Sequence, residues 1–456
     1  MPSFRQFGFF MLLACGVAAD TRAAETNVLV WPNAAGRVDA NIHGEPLWPL
    51  LEDVARQTGW HIFVESNATR VVSTKFSNLP PPEALRMLFG DLNFALVPQT
   101  NAATHLYVFR TTIQNATRPV TVVRAAPKHV PNELLVRLKP GADIDAIAKA
   151  LGAKVIARND KLHLYELQFG DASATDAALA ELKNNSDVEA VDYNYVFDPP
   201  ATPQALGTVP PGNGPIALTL DPTTPEDPCS PVVGLIDTPL QDLGSQLDPF
   251  ITTNISVVGN AGSQNSGPTH GTAMAQTILR AVSQAGGGNS PVRIVAVDVY
   301  GANETTTSWD VALGVQAAVD HGATLLNMSL GGGGDSAVLD NIIQQALAQG
   351  IVVFAAAGNQ PVTTPTYPAA IPGVNAVTAL SAPGQLAPYA DYGSFVEMAL
   401  PGASVVYLGN QPYVVQGTSP ATAYATGVAA GTKGANCLPW PQIESAMVQK
   451  FPVPSK

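Results

Sequence analysis

The strongest constraint on this chain is a set of short apolar runs in its C-terminal half: Val232–Ile236, Val292–Val299, Thr324–Met328, Ile351–Ala356 and Ala376–Ala379. Between them, Thr272–Val282, Trp309–His321 and Asp335–Gln349 have helical spacing. Strands that are apolar throughout must be covered on both faces, and helical crossovers supply the cover. The pattern predicts an α/β domain, a mostly parallel sheet with helices on both faces. In such sheets functional groups collect at the carboxyl ends of the strands.

Four residues stand at such ends or at the helix starts beside them. Asp237 closes Val232-Val233-Gly234-Leu235-Ile236-Asp237-Thr238. A carboxylate ending a buried strand is costly without a partner, and the alternative is a loop cap. His270, in Thr269-His270-Gly271-Thr272, opens a helix of small residues. The region's other histidine, His321, stands at a helix end before Gly322, where a solvated cation is the simpler reading. Asn359 ends Ala355-Ala356-Ala357-Gly358-Asn359 and is either a turn residue or a donor to a developing oxyanion. Ser419 follows a glycine turn in Gln416-Gly417-Thr418-Ser419-Pro420-Ala421-Thr422-Ala423. By itself it is either a helix N-cap or a nucleophile.

Taken together, the order Asp237, His270, Ser419 matches one of the three known chain orders of the serine-hydrolase triad. With Asn327-Met328-Ser329-Leu330-Gly331-Gly332 and Ala399-Leu400-Pro401-Gly402, residues 229–456 resemble the subtilisin-like serine proteases. The resemblance implies a serine endopeptidase with catalytic Asp237, His270 and Ser419, oxyanion donor Asn359, and Ser329, Leu330 and Gly331 as the edge that pairs with substrate. It also implies a second substrate strand near Val299–Thr307. Three positions depart from the family pattern: Pro239, Pro420 and Ala423. Pro420 removes the backbone N–H after the nucleophile, which an α/β-hydrolase elbow needs for its oxyanion hole. The subtilisin arrangement uses the serine's own N–H and the asparagine. The small residues Ala355–Ala357 and Gly331–Gly334 point to a pocket that accepts an apolar side chain.

Upstream, residues 130–198 read as β-α-β-β-α-β, a ferredoxin-like order. Asn132-Glu133-Leu134-Leu135-Val136-Arg137-Leu138-Lys139-Pro140-Gly141 and Asp187-Val188-Glu189-Ala190-Val191-Asp192-Tyr193-Asn194-Tyr195-Val196 resemble the propeptide of the same proteases. That family's propeptide chaperones folding and blocks the cleft as an intramolecular inhibitor, so the expected product is an autoinhibited zymogen. Residues 25–115 form another small α+β unit: strands near Asn27–Trp31, Asp39–His43 and Trp60–Glu65, helices near Pro46–Thr58 and Pro82–Gly90, and a hairpin of Phe94–Pro98 with His105–Phe109. Its Gly44-Glu45-Pro46-Leu47 and Leu79-Pro80-Pro81-Pro82-Glu83-Ala84-Leu85 patterns resemble the short N-terminal domain of secretins and TonB-dependent receptors, which implies docking to an envelope protein. Residues 199–228 are a linker. With nine prolines from Asp198 to Pro228, it is expected to be extended and exposed.

Residues 1–24 read as an export signal: Arg5, an apolar Phe7–Ala14, then small residues. Leu12-Leu13-Ala14-Cys15 also resembles a bacterial lipobox. The expected location is periplasmic, outer-membrane-associated or secreted. The net charge is −13, which argues against nucleic acid as a partner, and the protease resemblance implies protein or peptide substrates. Beyond Cys15 only Cys229 and Cys437 remain, either as a disulfide or as two thiols. No calcium-loop pattern is present, so no metal or cofactor is expected. Two rival readings share this sequence: a non-catalytic peptide-binding module on a protease fold, and a protease limited to processing itself.

Overall fold

The computed structural model describes residues 27–31, 36–98, 104–120, 127–207, 220–224, 229–259 and 267–454. The expected export signal, with Cys15, lies outside them, as does most of the linker.

The N-terminal module runs β1 (Val28–Val30), β2 (Val38–Pro46), α1 (Leu47–Thr58), β3 (His61–Val64), β4 (Val71–Leu79), α2 (Pro81–Phe89), β5 (Asn93–Val97), β6 (His105–Phe109) and β7 (Arg118–Pro119). It holds two sheets, ordered β1-β2-β4 and β5-β6-β3-β7. Strand β4 is absent from the sequence reading. Only Val72 along it is fully buried, so its apolar signal is weak. The two helices bury Leu50, Leu51, Val54, Leu85 and Leu88 into a core of the module's own.

The second unit has β8 (His129–Leu138), α3 (Ile144–Leu151), β9 (Lys154–Asn159), β10 (Leu164–Gln168), α4 (Ala172–Leu182) and β11 (Val188–Phe197). Its strands pair antiparallel in the order β11-β8-β10-β9, as a ferredoxin-like unit requires. Asp143 and Asp171 cap α3 and α4 by accepting first-turn N–H groups. The described part of the linker is not uniformly exposed, contrary to expectation. It pairs through β12 (Gln204–Ala205) and β13 (Asp221–Pro222), and Pro203 and Leu220 are buried.

The large domain contains β14 (Val232–Asp237), β15 (Ile251–Ser256), α5 (His270–Gly286), β16 (Asn289–Ser290), β17 (Arg293–Asp298), β18 (Thr306–Thr307), α6 (Ser308–Asp320), β19 (Leu325–Met328), α7 (Ala337–Ala348), β20 (Val352–Ala356), β21 (Asn375–Ala382), β22 (Gln385–Leu386), β23 (Met398–Pro401), β24 (Ala403–Leu408), β25 (Gln411–Gln416), α8 (Thr418–Asn436) and α9 (Trp440–Lys450). The main sheet is ordered β15-β17-β14-β19-β20-β21-β22, parallel except for the short antiparallel β22, with β23 also parallel to β21. Strand order reverses between β14 and β19, which opens a crevice at their carboxyl ends.

Helices α5 and α8 cross the interior side by side. A Cβ on Gly427 would lie 2.3 Å from the Ile278 carbonyl oxygen, and one on Gly431 would lie 2.8 Å from that of Val282. Gly427 stands as many residues past Ser419 as Ile278 stands past His270, and the same equality holds for Gly431 and Val282. The helices are therefore parallel and in register, and their N-termini meet at one end. Cys229 and Cys437 form a disulfide with Cα atoms 4.7 Å apart, stapling the domain's start to the C-terminal end of α8.

The ferredoxin-like unit sits on α6 and α7. Asp192 Oδ2 accepts from Ala337 N at 3.2 Å, and Asn194 Oδ1 accepts from Trp309 N at 3.2 Å, so the unit satisfies first-turn donors of both helices. Arg137 donates to Asn341, and Lys161 pairs with Asp320 at 2.6 Å. Beside Asn194, Glu166 is only 9% exposed. Burial first, then Glu133, push its carboxyl up to about 8, against a hydrogen bond from Asn194 Nδ2.

Gly427→Ala is expected to force α5 and α8 apart at a cost of about 1–3 kcal/mol. Denaturant melts of the full chain would read this, and an unchanged midpoint would contradict the close approach. Glu166 makes a second prediction. Its folded value is raised above the ordinary 4.5, so the fold favours its protonated form. That contribution is complete below about pH 4.5 and is lost as pH rises through about 8. Thermal melts from about pH 5 to about pH 9 should show this loss in wild type, and Glu166→Gln should remove that part of the slope.

Candidate active site

Asp237 ends β14 and is 2% exposed. Its Oδ1 receives the Thr238 N–H at 2.7 Å and lies 2.7 Å from His270 Nδ1. The costly buried carboxylate thus has its partner. His270 is the first residue of α5, capped by Thr269, whose hydroxyl accepts from Thr272 N and donates to the Pro239 carbonyl at 2.6 Å. Pro239, a departure from the family pattern, therefore ties the Asp237 loop to the histidine's helix. The approach is close enough that a Cβ on Gly271 would lie 2.3 Å from the Thr238 oxygen. His270 Nε2 is buried and has no hydrogen-bond partner among the described residues.

Ser419 lies in the first turn of α8 and is 6% exposed. Gly417 precedes it at φ 148°, a conformation that favours glycine. Ser419 and Ser329 hold each other. Ser419 Oγ donates to the Ser329 carbonyl at 3.0 Å, and Ser329 Oγ donates to the Ser419 carbonyl at 3.1 Å. Behind them Thr426 donates to Asn327 Oδ1, and Asn327 Nδ2 donates to Ser329 Oγ at 2.9 Å. The serine hydroxyl therefore points at a carbonyl, and no hydrogen bond joins it to His270. Pro420 falls in the first helical turn, where N–H groups lack intrahelical acceptors, so it costs α8 nothing.

Asn359 follows β20 and is exposed. Its Oδ1 accepts from Thr418 N at 2.8 Å and from Thr418 Oγ1 at 3.2 Å, which couples the amide to the residue before the serine. The carboxamide nitrogen makes no hydrogen bond among the described residues. The loop is pinned from below by Asp391, which is fully buried and accepts from Gln360 N at 2.7 Å, Val362 N at 3.3 Å and Thr366 Oγ1 at 3.1 Å. Sequence reasoning missed Asp391 and Thr426, because each acts on an element distant in the chain.

One cleft is lined by Ser329 to Gly333, Ala356, Asn359 and Ser419 on one side and by Val196 and Asp198 to Ala201 on the other. Ser329, Leu330 and Gly331 thus line it as a group. Just past Gly331, Gly332 forms an antiparallel bridge with Tyr367. The end of β11 pairs with β18, Val196 with Thr307 and Phe197 with Thr306, in the Val299–Thr307 region, and the residues that follow it line the cleft. Phe197 is 1% exposed and rests beside Gly332, and Tyr195 covers Gly334. His321 is exposed, with Nδ1 2.8 Å from the Ala317 carbonyl, away from this cleft. Among the described residues no group of three or more His, Cys, Asp or Glu side chains gathers to hold a metal ion, and no helix is long and apolar enough to cross a membrane.

Residues 230–452 match the subtilase family, and residues 115–194 match the fervidolysin N-terminal prodomain. A thermophilic serine proteinase from Bacillus sp. strain AK1 is 30% identical over 314 residues, 66% of this chain and 78% of that protein. A thermostable alkaline protease from Halalkalibacterium halodurans is 33% identical over 205 residues, 44% of this chain and 56% of that protein. The chain thus spans only about half the length of the latter. The crystal structure of fervidolysin from Fervidobacterium pennivorans, described as a keratinolytic enzyme related to subtilisin, superposes with a TM-score of 0.51 at 21% identity, over 68% of this chain and 55% of that one.

Proposed function

This chain belongs to the subtilase family of serine proteases, and from that premise we propose that it is an exported endopeptidase made as an autoinhibited zymogen, acting through Asp237, His270 and Ser419. One observation carries the reading: the 2.7 Å bond between Asp237 and His270 leaves Nε2 without a partner, while α5 and α8 run in register from His270 and Ser419. Nε2 is the atom that must take the serine proton.

In the mechanism, the Ser419 hydroxyl first leaves the Ser329 carbonyl and turns to His270. Its Oγ then attacks the peptide carbonyl as Nε2 takes the proton, and the imidazolium returns that proton to the leaving amine. Asp237 holds the ring tautomer and stabilises its charge. The tetrahedral oxyanion takes hydrogen bonds from the Ser419 N–H and Asn359 Nδ2, whose amide is oriented by Thr418. The segment after β11 occupies the cleft and makes the prodomain an inhibitor. The burial of Phe197 beside Gly332 favours apolar residues on the acyl side of the scissile bond. We read the N-terminal module as an envelope-docking domain, on the pattern it shares with secretins and TonB-dependent receptors. The site's chemistry calls for no metal or cofactor.

Wild-type protein activated by its own processing should be labelled by a fluorophosphonate, and Ser419→Ala should neither label nor process. Absence of Ser419-dependent labelling after prodomain removal would favour a non-catalytic binding module. Labelling without cleavage of casein would favour a protease confined to itself. Asn359→Ala should lower kcat by about 10²–10³ with little change in KM, the range known for removal of this donor in subtilisin.

A further inference from the structure

On the far side of Ser419 the linker does more than leave the cleft. Gln204 and Ala205 pair antiparallel with Val414 and Tyr413 of β25. The Leu206 N–H donates to the Pro412 carbonyl at 3.0 Å, and the Gln411 side-chain amide donates to the Leu206 carbonyl at 2.6 Å. The inner edge of β25 is taken by β24, so the linker occupies its outer edge. Strand β25 runs directly into Gly417-Thr418-Ser419, so this edge starts beside the nucleophile. Continued by two residues, the register sets Thr202 opposite Gln416, while Asp198 to Ala201 line the cleft. Pro203 is buried between the exposed Thr202 and Gln204.

These contacts are not specific to the linker. Gln204, Ala205 and Leu206 all have exposed side chains, and their bonds run through the backbone. Gln411 to Gln416 carry no charge, so the edge imposes no charge preference. Any extended peptide able to offer an N–H to Pro412 could take the same place.

We propose that the outer edge of β25, from Pro412 to Val414, binds the leaving-group side of polypeptide substrates as an added antiparallel strand, with a small apolar residue seated where Pro203 lies. This inference rests on the proteolytic reading and names its substrate class: unfolded or loop segments that continue several residues past the cut. The linker then competes with substrate for the edge until it is displaced.

The test uses self-processed enzyme carrying Leu206→Pro, which removes the N–H given to Pro412 in an exposed segment and so frees the edge. Three fluorogenic peptides share one sequence that this enzyme cuts in denatured casein. The first ends two residues past the bond, the second continues with Pro-Gln-Ala-Leu, and the third carries that extension with the leucine nitrogen methylated. The extension should raise kcat/KM about tenfold, mainly through KM, and methylation should return most of the gain. In wild type the gain should be smaller, because the linker competes. Values within about twofold across the three peptides in the Leu206→Pro enzyme would overturn this inference alone. Failure to cut casein at all would point to a protease confined to itself, and would overturn both the reading of activity on other proteins and this inference.

Discussion

The site depends first on how closely α5 and α8 can lie. Gly427 and Gly431 present bare backbone to the carbonyls of Ile278 and Val282, and side chains there would collide. Because the two helices are parallel and in register, their N-termini meet, and each carries a residue of the candidate triad in its first turn. The sheet adds the third: β14 ends at Asp237, where strand order reverses. The helix starts that carry His270 and Ser419 come to the same end of the domain only because glycine lets the axes approach.

Around those helix starts most polar groups are held by a neighbour from elsewhere in the chain, while Asp237 Oδ2 and His270 Nε2 have no hydrogen-bond partner among the described residues. Thr269 joins the Asp237 loop to α5, Thr418 orients Asn359, and Ser329 anchors Ser419. Buried groups of this kind are costly unless satisfied, so the network fixes one geometry. The hydroxyl of Ser419 is the exception in direction, since it points at a carbonyl while His270 Nε2 stands unpartnered. The residues just after β11 line the same cleft as Ser419.

The prodomain and linker use the large domain's exposed ends and edges. Asp192 and Asn194 reach the first-turn donors of α7 and α6, β11 joins β18, and β12 joins β25. Helix starts and strand edges are where a folded domain has backbone groups left over, which suits them to bind another stretch of polypeptide. The proline-rich linker shows the effect most directly. Its composition predicts an exposed chain, yet Pro203 and Leu220 are buried because strand edges were available to it.

Apolar runs and helical spacing were enough to read the parallel sheet and most of its helices, because those signals are local. The motifs around Asp237, His270, Asn359 and Ser419 were legible for the same reason, as each is a strand end or helix start with a chemically distinctive residue. Strands β4 and β15 were not legible. Val71–Leu79 buries little, and Ile251–Ser256 is a half-polar edge strand, so neither has a strong pattern. By itself the sequence determined which residues could do chemistry and in what order they come. Tertiary structure alone decided that Asp237 reaches His270, that Asp391 pins the Asn359 loop, and that the linker lies on β25. Those contacts join residues dozens to hundreds of positions apart, and distance in space across a packed core leaves no local trace in composition or periodicity.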